Sequence, residues 1–292
     1  MSTIAFIGLG IMGSPMACHL VNAGHTVIGL DTSPERTAAL VEAGGKAAGS
    51  IEQAVKEADV VAIMVPDSPQ VQTVLLGDDG VFAHAQPGTL VIDFSSIRPD
   101  VTAEFAKVGA ERGLRILDAP VSGGEPGAVN ATLSIMVGGS DDDFASAKPI
   151  LDTVGKTIVH VGANGAGQTV KAANQLIVAG NIQLLAEAVV FLDAYGVDMR
   201  SALEVLGGGL AGSTVLARKG DNMLAGEFKP GFRLALHHKD MGIVTSAARE
   251  AGVTIPLGAV VAQLVAAMVA RGDGGLDHSG LLKLTQELSG RN

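Results

Sequence analysis

The first half of the chain alternates short runs of β-branched and apolar residues with amphipathic segments of helical length. The apolar runs cover residues 3–7, 26–30, 59–65, 89–94, 114–119, 133–139 and 157–162. Near-continuous apolar strands with helices between them are typical of a mainly parallel sheet that is covered on both faces. The pattern therefore predicts a doubly wound α/β domain over residues 1–163.

The pattern changes after Gly162, where the sequence GANGAG makes a glycine-rich break. Beyond this break the apolar positions recur only at helical spacing. The helical segments cover residues 166–195, 198–206, 213–224, 237–252, 257–271 and 279–289. We expect residues 164–292 to form an all-helical second domain that opens with a long interdomain helix.

Composition narrows the classes of partner and site. The chain has 292 residues, 47 % of them hydrophobic, which is enough for two domains with large cores. Its net charge of -10 argues against a nucleic acid or an anionic membrane as a partner. No uninterrupted apolar stretch is expected to span a bilayer, and we expect a cytoplasmic protein. No carboxylate cluster accompanies the adjacent His237 and His238, so we expect no metal site.

Three glycines between a predicted strand and a predicted helix, Gly8, Gly10 and Gly13, have the spacing G-x-G-x-x-G. The first permits a tight turn, the second lets the backbone approach a pyrophosphate, and the third allows close packing of helix on strand. The N–H groups at the helix start can bind that anion. This context predicts a Rossmann-type dinucleotide site, and the alternative is an ordinary glycine-rich turn. The predicted cofactor-binding segment consists of Gly8, Leu9, Gly10, Ile11, Met12 and Gly13.

Asp31, at the end of the second predicted strand, bears on the choice of cofactor. A carboxylate at this position can accept hydrogen bonds from the ribose hydroxyls of NAD, and it repels the 2′-phosphate of NADP. The next cationic residue along the chain is Arg36, so a phosphate-binding cluster is not obvious. We therefore favour NAD(H) as the cofactor, with NADP(H) as the alternative.

Two further loops follow predicted strands, where open α/β sheets bind their ligands. In MVPDSPQV, residues 64–71, Val65 and Pro66 are candidates for packing on the cofactor, and in DFSSI, residues 93–97, Ser96 is a candidate for a hydrogen bond to it. The alternative is ordinary loop capping, by Asp67 or Ser68 for a helix and by Ser95 or Ser96 for a turn.

Ser122, Gly123 and Gly124 lie in the segment DAPVSGGEPGA, residues 118–128, which also follows a strand. A hydroxyl beside uncrowded backbone amides can form a nest for an anion such as a carboxylate. A flexible turn is the alternative.

Lys171 is the only formal charge between Thr157 and Ala186. On a helix it shares an arc of about 100° with Asn174 and Gln175. Either its ammonium group snorkels to water, or it lies in a cleft whose apolar neighbours favour proton exchange. The nucleotide motif favours the second alternative. We expect Lys171 to lie in the first turn of the long helix.

Four segments together resemble the β-hydroxyacid dehydrogenase family: FIGLGIMGSPMACHL, DAPVSGGEPGA, GAGQTVKAANQ and HHKDM. The resemblance covers essentially the whole chain. It implies that Lys171 is the catalytic lysine, that Asn174 and the loop Ser122–Gly124 bind the substrate, and that Lys239 reaches the nicotinamide end of the cofactor. It also implies a small carboxylate as substrate and a homodimer or homotetramer as the assembly.

Three other segments, GGLAGSTVL, FKPGF and DHSGL, are most similar to the branch that interconverts tartronate semialdehyde and D-glycerate with NAD(P)H. In such a reaction the cofactor supplies the hydride and Lys171 exchanges a proton with the substrate oxygen. The alternatives are a dehydrogenase for 3-hydroxyisobutyrate or 4-hydroxybutyrate, a reductase of succinic semialdehyde or glyoxylate, or a non-catalytic nucleotide-binding protein. Lys171 argues against the last of these.

Overall fold

The computed structural model describes residues 1–291. It contains two compact units, of which the first is Met1–Lys171 and the second begins at Ala172. This division lies inside a long helix, whereas the boundary that we predict from the sequence lies in the loop before it.

Within residues 1–291 the first unit contains one sheet of nine strands. The strands are β1 (Thr3–Ile7), β2 (Thr26–Leu30), β3 (Lys46–Ala47), β4 (Val60–Ile63), β5 (Leu90–Asp93), β6 (Arg115–Asp118), β7 (Val121–Ser122), β8 (Leu133–Gly138) and β9 (Gly155–Gly162). Their order is β3-β2-β1-β4-β5-β6-β8-β7, with β9 beside β8. The strands β1 to β6 pair in parallel. This order reverses between β1 and β4, as in doubly wound nucleotide-binding sheets.

Helices cover both faces of this sheet. They are α1 (Gly13–Asn22), α2 (Ala38–Glu42), α3 (Ile51–Val55), α4 (Ser68–Leu76), α5 (Val81–His84), α6 (Pro99–Glu111), α7 (Gly124–Val129), α8 (Asp141–Val154) and the first turns of α9 (Ala166–Ala194). Alternate residues of β1 pack in different hydrophobic cores. Ile4 and Phe6 belong to one core, and Ala5 and Ile7 belong to the other. The predicted mainly parallel α/β fold is confirmed.

Two strands escape the sequence pattern. The strands β3 and β7 have two residues each, too short to show an alternation of apolar and polar positions. The strand β8 pairs antiparallel with β6 and β7 and parallel with β9, so only this end of the sheet is mixed.

The second unit is helical, as predicted. It consists of the rest of α9, then α10 (Met199–Gly208), α11 (Thr214–Ala225), α12 (Leu234–Glu250), α13 (Pro256–Ala270) and α14 (Leu281–Leu288), with short 3-10 helices at Asp273–Gly275 and His278–Gly280. All six helices expected from the spacing of apolar residues are present, with ends shifted by up to a turn. Their buried faces share one core that includes Ile182, Leu203, Met241, Val265 and Leu281.

By length and composition, one helix among the described residues could cross a membrane. This helix is α9, in which a window of 18 residues has a mean hydropathy of 1.7 and is 44 % buried inside the structure. The helix still contains no uninterrupted apolar stretch of spanning length, because Lys171, Asn181 and Gln183 interrupt it, and only the window average reaches the criterion. Buried core helices meet the same criterion, so the property carries no conclusion about a membrane.

Candidate active site

The carboxyl ends of the parallel strands carry most of the predicted cofactor residues. Gly8 to Met12 follow β1, Asp31 follows β2, Val65 and the exposed Pro66 follow β4, and Ser96 follows β5. Ligands of open α/β sheets bind outside this edge, at the point where the strand order reverses. The structure therefore brings these segments to one edge of the first unit.

The glycine-rich turn fits a dinucleotide. Gly8 has a φ of +96°, and a Cβ atom there would lie 2.2 Å from the carbonyl oxygen of Met64. A Cβ on Gly13, where α1 begins, would lie 1.9 Å from the carbonyl oxygen of Gly8. A Cβ on Gly10 would meet nothing within 4 Å. Two of the glycines therefore serve packing within the protein, and the third leaves the backbone open to a pyrophosphate.

The Asp31 carboxylate organises this turn. It accepts hydrogen bonds from the backbone N–H groups of Leu9, over 2.8 Å, and Ser33, over 2.9 Å. The guanidinium group of Arg36 lies 3.5 Å from the same carboxylate. The side chain of Asp31 is only 5 % exposed, whereas that of Arg36 is 53 % exposed. A cation thus stands beside the carboxylate, although Arg36 is five residues away along the chain.

Ser95 ties together the loops after β4 and β5. Its hydroxyl accepts the N–H of Val65 over 3.0 Å, and its own N–H donates to the Asp93 carboxylate over 2.9 Å. Asp67 caps the start of α4. Asp67 therefore takes the capping role considered for the first segment. The fully buried Ser95 instead links the two loops, and Ser96 is half-buried.

The predicted carboxylate loop connects β7 to α7. Ser122 is half-buried and pairs with Ser134 of β8. Gly123 has a φ of 140° and Gly124 a φ of 64°, values that L side chains rarely adopt. Because glycine adopts them without strain, both positions suit the close backbone turn that an anion nest requires.

Lys171 lies in the second turn of α9, not in the first as predicted, because the helix begins at Ala166. The residue is 8 % exposed, which argues against an ammonium group that snorkels to water. Asn174 lies one turn further along, and its side-chain N–H donates to the side-chain oxygen of Gln175 over 2.8 Å.

Two buried polar residues hold the start of α9, and neither leaves a signal in the local sequence pattern. The Asp118 carboxylate, at the end of β6, accepts the N–H groups of Gly165 over 2.8 Å and Gln168 over 2.9 Å. Burial raises the pKa of Asp118, although these hydrogen bonds oppose the rise. The side chain of Gln168 donates to the carbonyl oxygen of Ser95 over 2.7 Å and accepts the N–H of Ile97 over 3.0 Å.

In the second unit, Asp240 links Lys239 of α12 to α9. The ammonium group of Lys239 lies 2.8 Å from Oδ1 of Asp240. The side-chain amide of Gln175 donates to Oδ2 of the same carboxylate. Asp240 is buried, so the ammonium group of Lys239 offsets the charge of its carboxylate and the Gln175 amide supplies a hydrogen bond that replaces water.

A buried polar cluster lies next to this link. The Nδ1 atoms of His237 and His278 are 3.1 Å apart, and Nε2 of His237 is 3.4 Å from the carbonyl oxygen of Gln175. If Nε2 of His237 carries a proton, its Nδ1 accepts one hydrogen bond from Nδ1–H of His278. Burial, aided by His237 and opposed by Asp277, lowers the pKa of His278 to about 3.

Asp277 supports the same cluster from the other side. Its carboxylate oxygens lie 2.9 and 2.8 Å from the ammonium nitrogen of Lys219. Burial raises the pKa of Asp277, but the interactions with His278 and Lys219 outweigh it and hold the pKa well below its usual range. Over residues 1–291 no group of three or more histidine, cysteine or acidic residues could hold a metal ion.

Comparison with known proteins agrees with this arrangement. Residues 3–162 match the family profile described as "NAD binding domain of 6-phosphogluconate dehydrogenase", and residues 165–285 match that described as "NAD-binding of NADP-dependent 3-hydroxyisobutyrate dehydrogenase". The chain is 42 % identical over 280 residues to 2-hydroxy-3-oxopropionate reductase of Escherichia coli (strain K12), with 96 % of each chain covered. It is 37 % identical over 298 residues to 3-hydroxyisobutyrate dehydrogenase of Pseudomonas aeruginosa, with 97 % of this chain and 98 % of the other covered.

A solved structure gives the same result. The 3-hydroxyisobutyrate dehydrogenase of Mycobacterium tuberculosis with L-serine has a TM-score of 0.88 and 36 % identity, over 97 % of this chain and 99 % of that one. The two family profiles together match residues 3–162 and 165–285, and these relatives are similar over nearly their full length. The chain therefore belongs to the β-hydroxyacid dehydrogenase family of NAD(P)-dependent oxidoreductases.

Proposed function

We propose that this protein reduces tartronate semialdehyde, which is 2-hydroxy-3-oxopropionate, to D-glycerate with NADH. The identity of 42 % to the Escherichia coli reductase of this name supports the substrate. The observation that carries the catalytic proposal is the burial of Lys171 on α9. The start of this helix is hydrogen-bonded to the same edge of the sheet that carries the glycine-rich turn.

Each predicted cofactor residue has a role in this proposal. The turn Gly8–Gly13 and the start of α1 hold the pyrophosphate, and Asp31 accepts hydrogen bonds from the ribose. Val65 and Pro66 pack on the cofactor, Ser96 forms a hydrogen bond to it, and Lys239 reaches its nicotinamide end. The carboxylate of Asp31 favours NAD(H), because it repels a 2′-phosphate. The neighbouring guanidinium group of Arg36 keeps NADP(H) as the alternative.

The role of each reacting group in this proposal follows from the charge that develops on the substrate during reduction. Bound NAD(P)H supplies the hydride that reduces the aldehyde carbon. Negative charge then develops on the carbonyl oxygen, and the ammonium group of Lys171 donates a proton to it, a general-acid contribution of ~100- to 10,000-fold. Asn174 holds a substrate oxygen, and the loop Ser122–Gly124 binds the carboxylate and thereby orients the aldehyde.

The first experiment measures NADH consumption with tartronate semialdehyde. We expect Lys171→Ala to abolish turnover while calorimetry shows that NADH still binds. Lys156→Ala, at an exposed lysine, is the matched control and should behave as the parent. Near-parental kcat in Lys171→Ala would remove this lysine from the chemistry.

A second substrate deserves a parallel assay, because two of the similar proteins are 3-hydroxyisobutyrate dehydrogenases. The segment GGLAGSTVL, which favours tartronate semialdehyde, joins α10 to α11, and the Ser213 hydroxyl there caps α11 by accepting the N–H of Leu216 over 3.0 Å. A comparison of kcat/KM for 3-hydroxyisobutyrate, D-glycerate and 4-hydroxybutyrate in the oxidative direction tests the choice. A higher value for another acid than for D-glycerate would reject tartronate semialdehyde as the preferred substrate.

We further propose that the chain assembles as a homodimer or homotetramer through α9. Exposed apolar residues recur every seventh position along this helix, at Val170, Ile177, Leu184 and Phe191. Such heptad spacing suits packing against a second helix, and a helix of 29 residues offers about 44 Å of contact length. A second copy supplies the same stripe.

Light scattering after size exclusion tests this assembly. The parent should have the mass of a dimer or tetramer, and the double variant Ile177→Lys with Leu184→Lys should have a lower mass. Val253→Lys, at an exposed apolar residue outside α9, is the control. A monomeric parent, or a double variant of parental mass, would contradict the proposal.

A further inference from the structure

The side chain of Gln168 bridges the helix that carries Lys171 and the loop after β5. Its amide N–H donates to the carbonyl of Ser95, and its amide oxygen accepts the N–H of Ile97. These two peptide groups lie on either side of Ser96. We propose that Gln168 is a positioning residue that sets the placement of Lys171 relative to Ser96 and thereby the rate of the reaction. This inference rests on the proposed function.

The chemistry of the bridge requires an amide. A carboxylate only accepts hydrogen bonds and an ammonium group only donates them, whereas a primary amide does both. Both groups that Gln168 contacts are backbone atoms, which cannot rotate to suit another side chain. Gln168 is 1 % exposed, so water has little access to replace the lost bonds.

The backbone of Gln168 is held as firmly as its side chain. Its N–H donates to the buried carboxylate of Asp118 over 2.9 Å. The preceding residue is Gly167, at which a Cβ would lie 2.4 Å from the carbonyl oxygen of Met136. The side chain of Gln168 thus acts together with two other contacts between the helix start and the sheet, and Lys171 lies one turn further along the same face.

The bridge extends beyond the second loop. The hydroxyl of Ser95, whose carbonyl oxygen binds Gln168, accepts the N–H of Val65 in the loop after β4. One chain of hydrogen bonds thus connects the helix of Lys171 with two loops that carry predicted cofactor residues. Because a misplacement of about 1 Å at a reacting centre can cost about 100-fold in rate, this connection should act on kcat.

The experiment compares Gln168→Ala and Gln168→Glu with the parent. We expect Gln168→Ala to lower kcat by about tenfold to 100-fold, with little change in the dissociation constant of NADH. Protonated glutamate reproduces the donor and acceptor of the amide, but ionised glutamate cannot donate. The ratio of kcat in Gln168→Glu to parental kcat should therefore rise as the pH falls, whereas the ratio for Gln168→Ala stays low and flat. Gln72→Glu, at an exposed glutamine, is the control.

Parental kcat in Gln168→Ala, or a flat ratio in Gln168→Glu, would overturn the positioning role. If the parent turns over no semialdehyde or hydroxyacid, the proposed function fails, and hydrogen exchange then decides on the bridge. Gln168→Ala should exchange faster at the amides of Ile97 and of the first turns of α9 than the parent does. Unchanged exchange in α9 would show that the bridge does not position the helix.

Discussion

Mild acid should destabilise the protein through His278, whose imidazole ring is buried against His237. Burial lowers the pKa of His278 to about 3 in the folded chain, whereas an unfolded histidine has a pKa of about 6.5. Between these two values the unfolded chain binds more protons than the folded one. The free energy of unfolding therefore falls as the pH falls through this window.

The size of the effect follows from the two pKa values. Each pH unit well inside the window costs about 1.4 kcal/mol, and the cost begins only near the unfolded pKa. Summed from pH 7 to pH 5, the loss is about 2 kcal/mol. Asp277 does not contribute in this range: its pKa is lowered on folding, so its stabilisation is lost only below the unfolded value, at about pH 4.

Urea unfolding followed by circular dichroism, at both pH values, measures this loss. His278→Asn keeps an amide N–H that can donate to His237 but removes the titrating ring, so the parent should lose about 2 kcal/mol more than this variant. His238→Asn, at the exposed neighbour of His237, should retain the parental pH dependence. Equal losses in the parent and His278→Asn would refute the reasoning.

Three other predictions concern the first unit. Asp118→Asn should lower the free energy of unfolding, measured by urea titration, by about 1–3 kcal/mol. The single amide oxygen of asparagine cannot replace two carboxylate oxygens that each accept a backbone N–H, and a loss near zero would contradict this role of Asp118. Gly10→Ala should leave the melting temperature unchanged but weaken NADH binding in calorimetry. Gly13→Ala should lower the melting temperature, because its Cβ would meet a backbone oxygen, and equal melting temperatures of the two variants would contradict the packing argument. Asp31→Ser combined with Thr32→Arg should shift kcat/KM towards NADPH, and an unchanged ratio of the two cofactors would remove Asp31 from the selectivity argument.

Local patterns were sufficient for the architecture. The alternation of apolar strands and amphipathic segments predicts the parallel sheet, and helical spacing after Gly162 predicts every long helix of the second unit. The G-x-G-x-x-G spacing predicts the turn at the end of β1, because this turn leaves no room for a Cβ atom at its first and last glycines in any sequence that adopts it. Strands of two residues, such as β3, stay invisible because they are shorter than the period that reveals a strand.

The sequence by itself determined the longer strands, the long helices and the candidate Lys171, since each leaves a signal within a few neighbouring residues. Only the tertiary structure decided which polar groups surround them. Asp118 meets Gly165 across 47 residues, Gln168 meets Ser95 across 73, and His278 meets His237 across 41. No local period encodes such pairs, because they form where chain packing excludes water and each buried polar group must find a protein atom to bind.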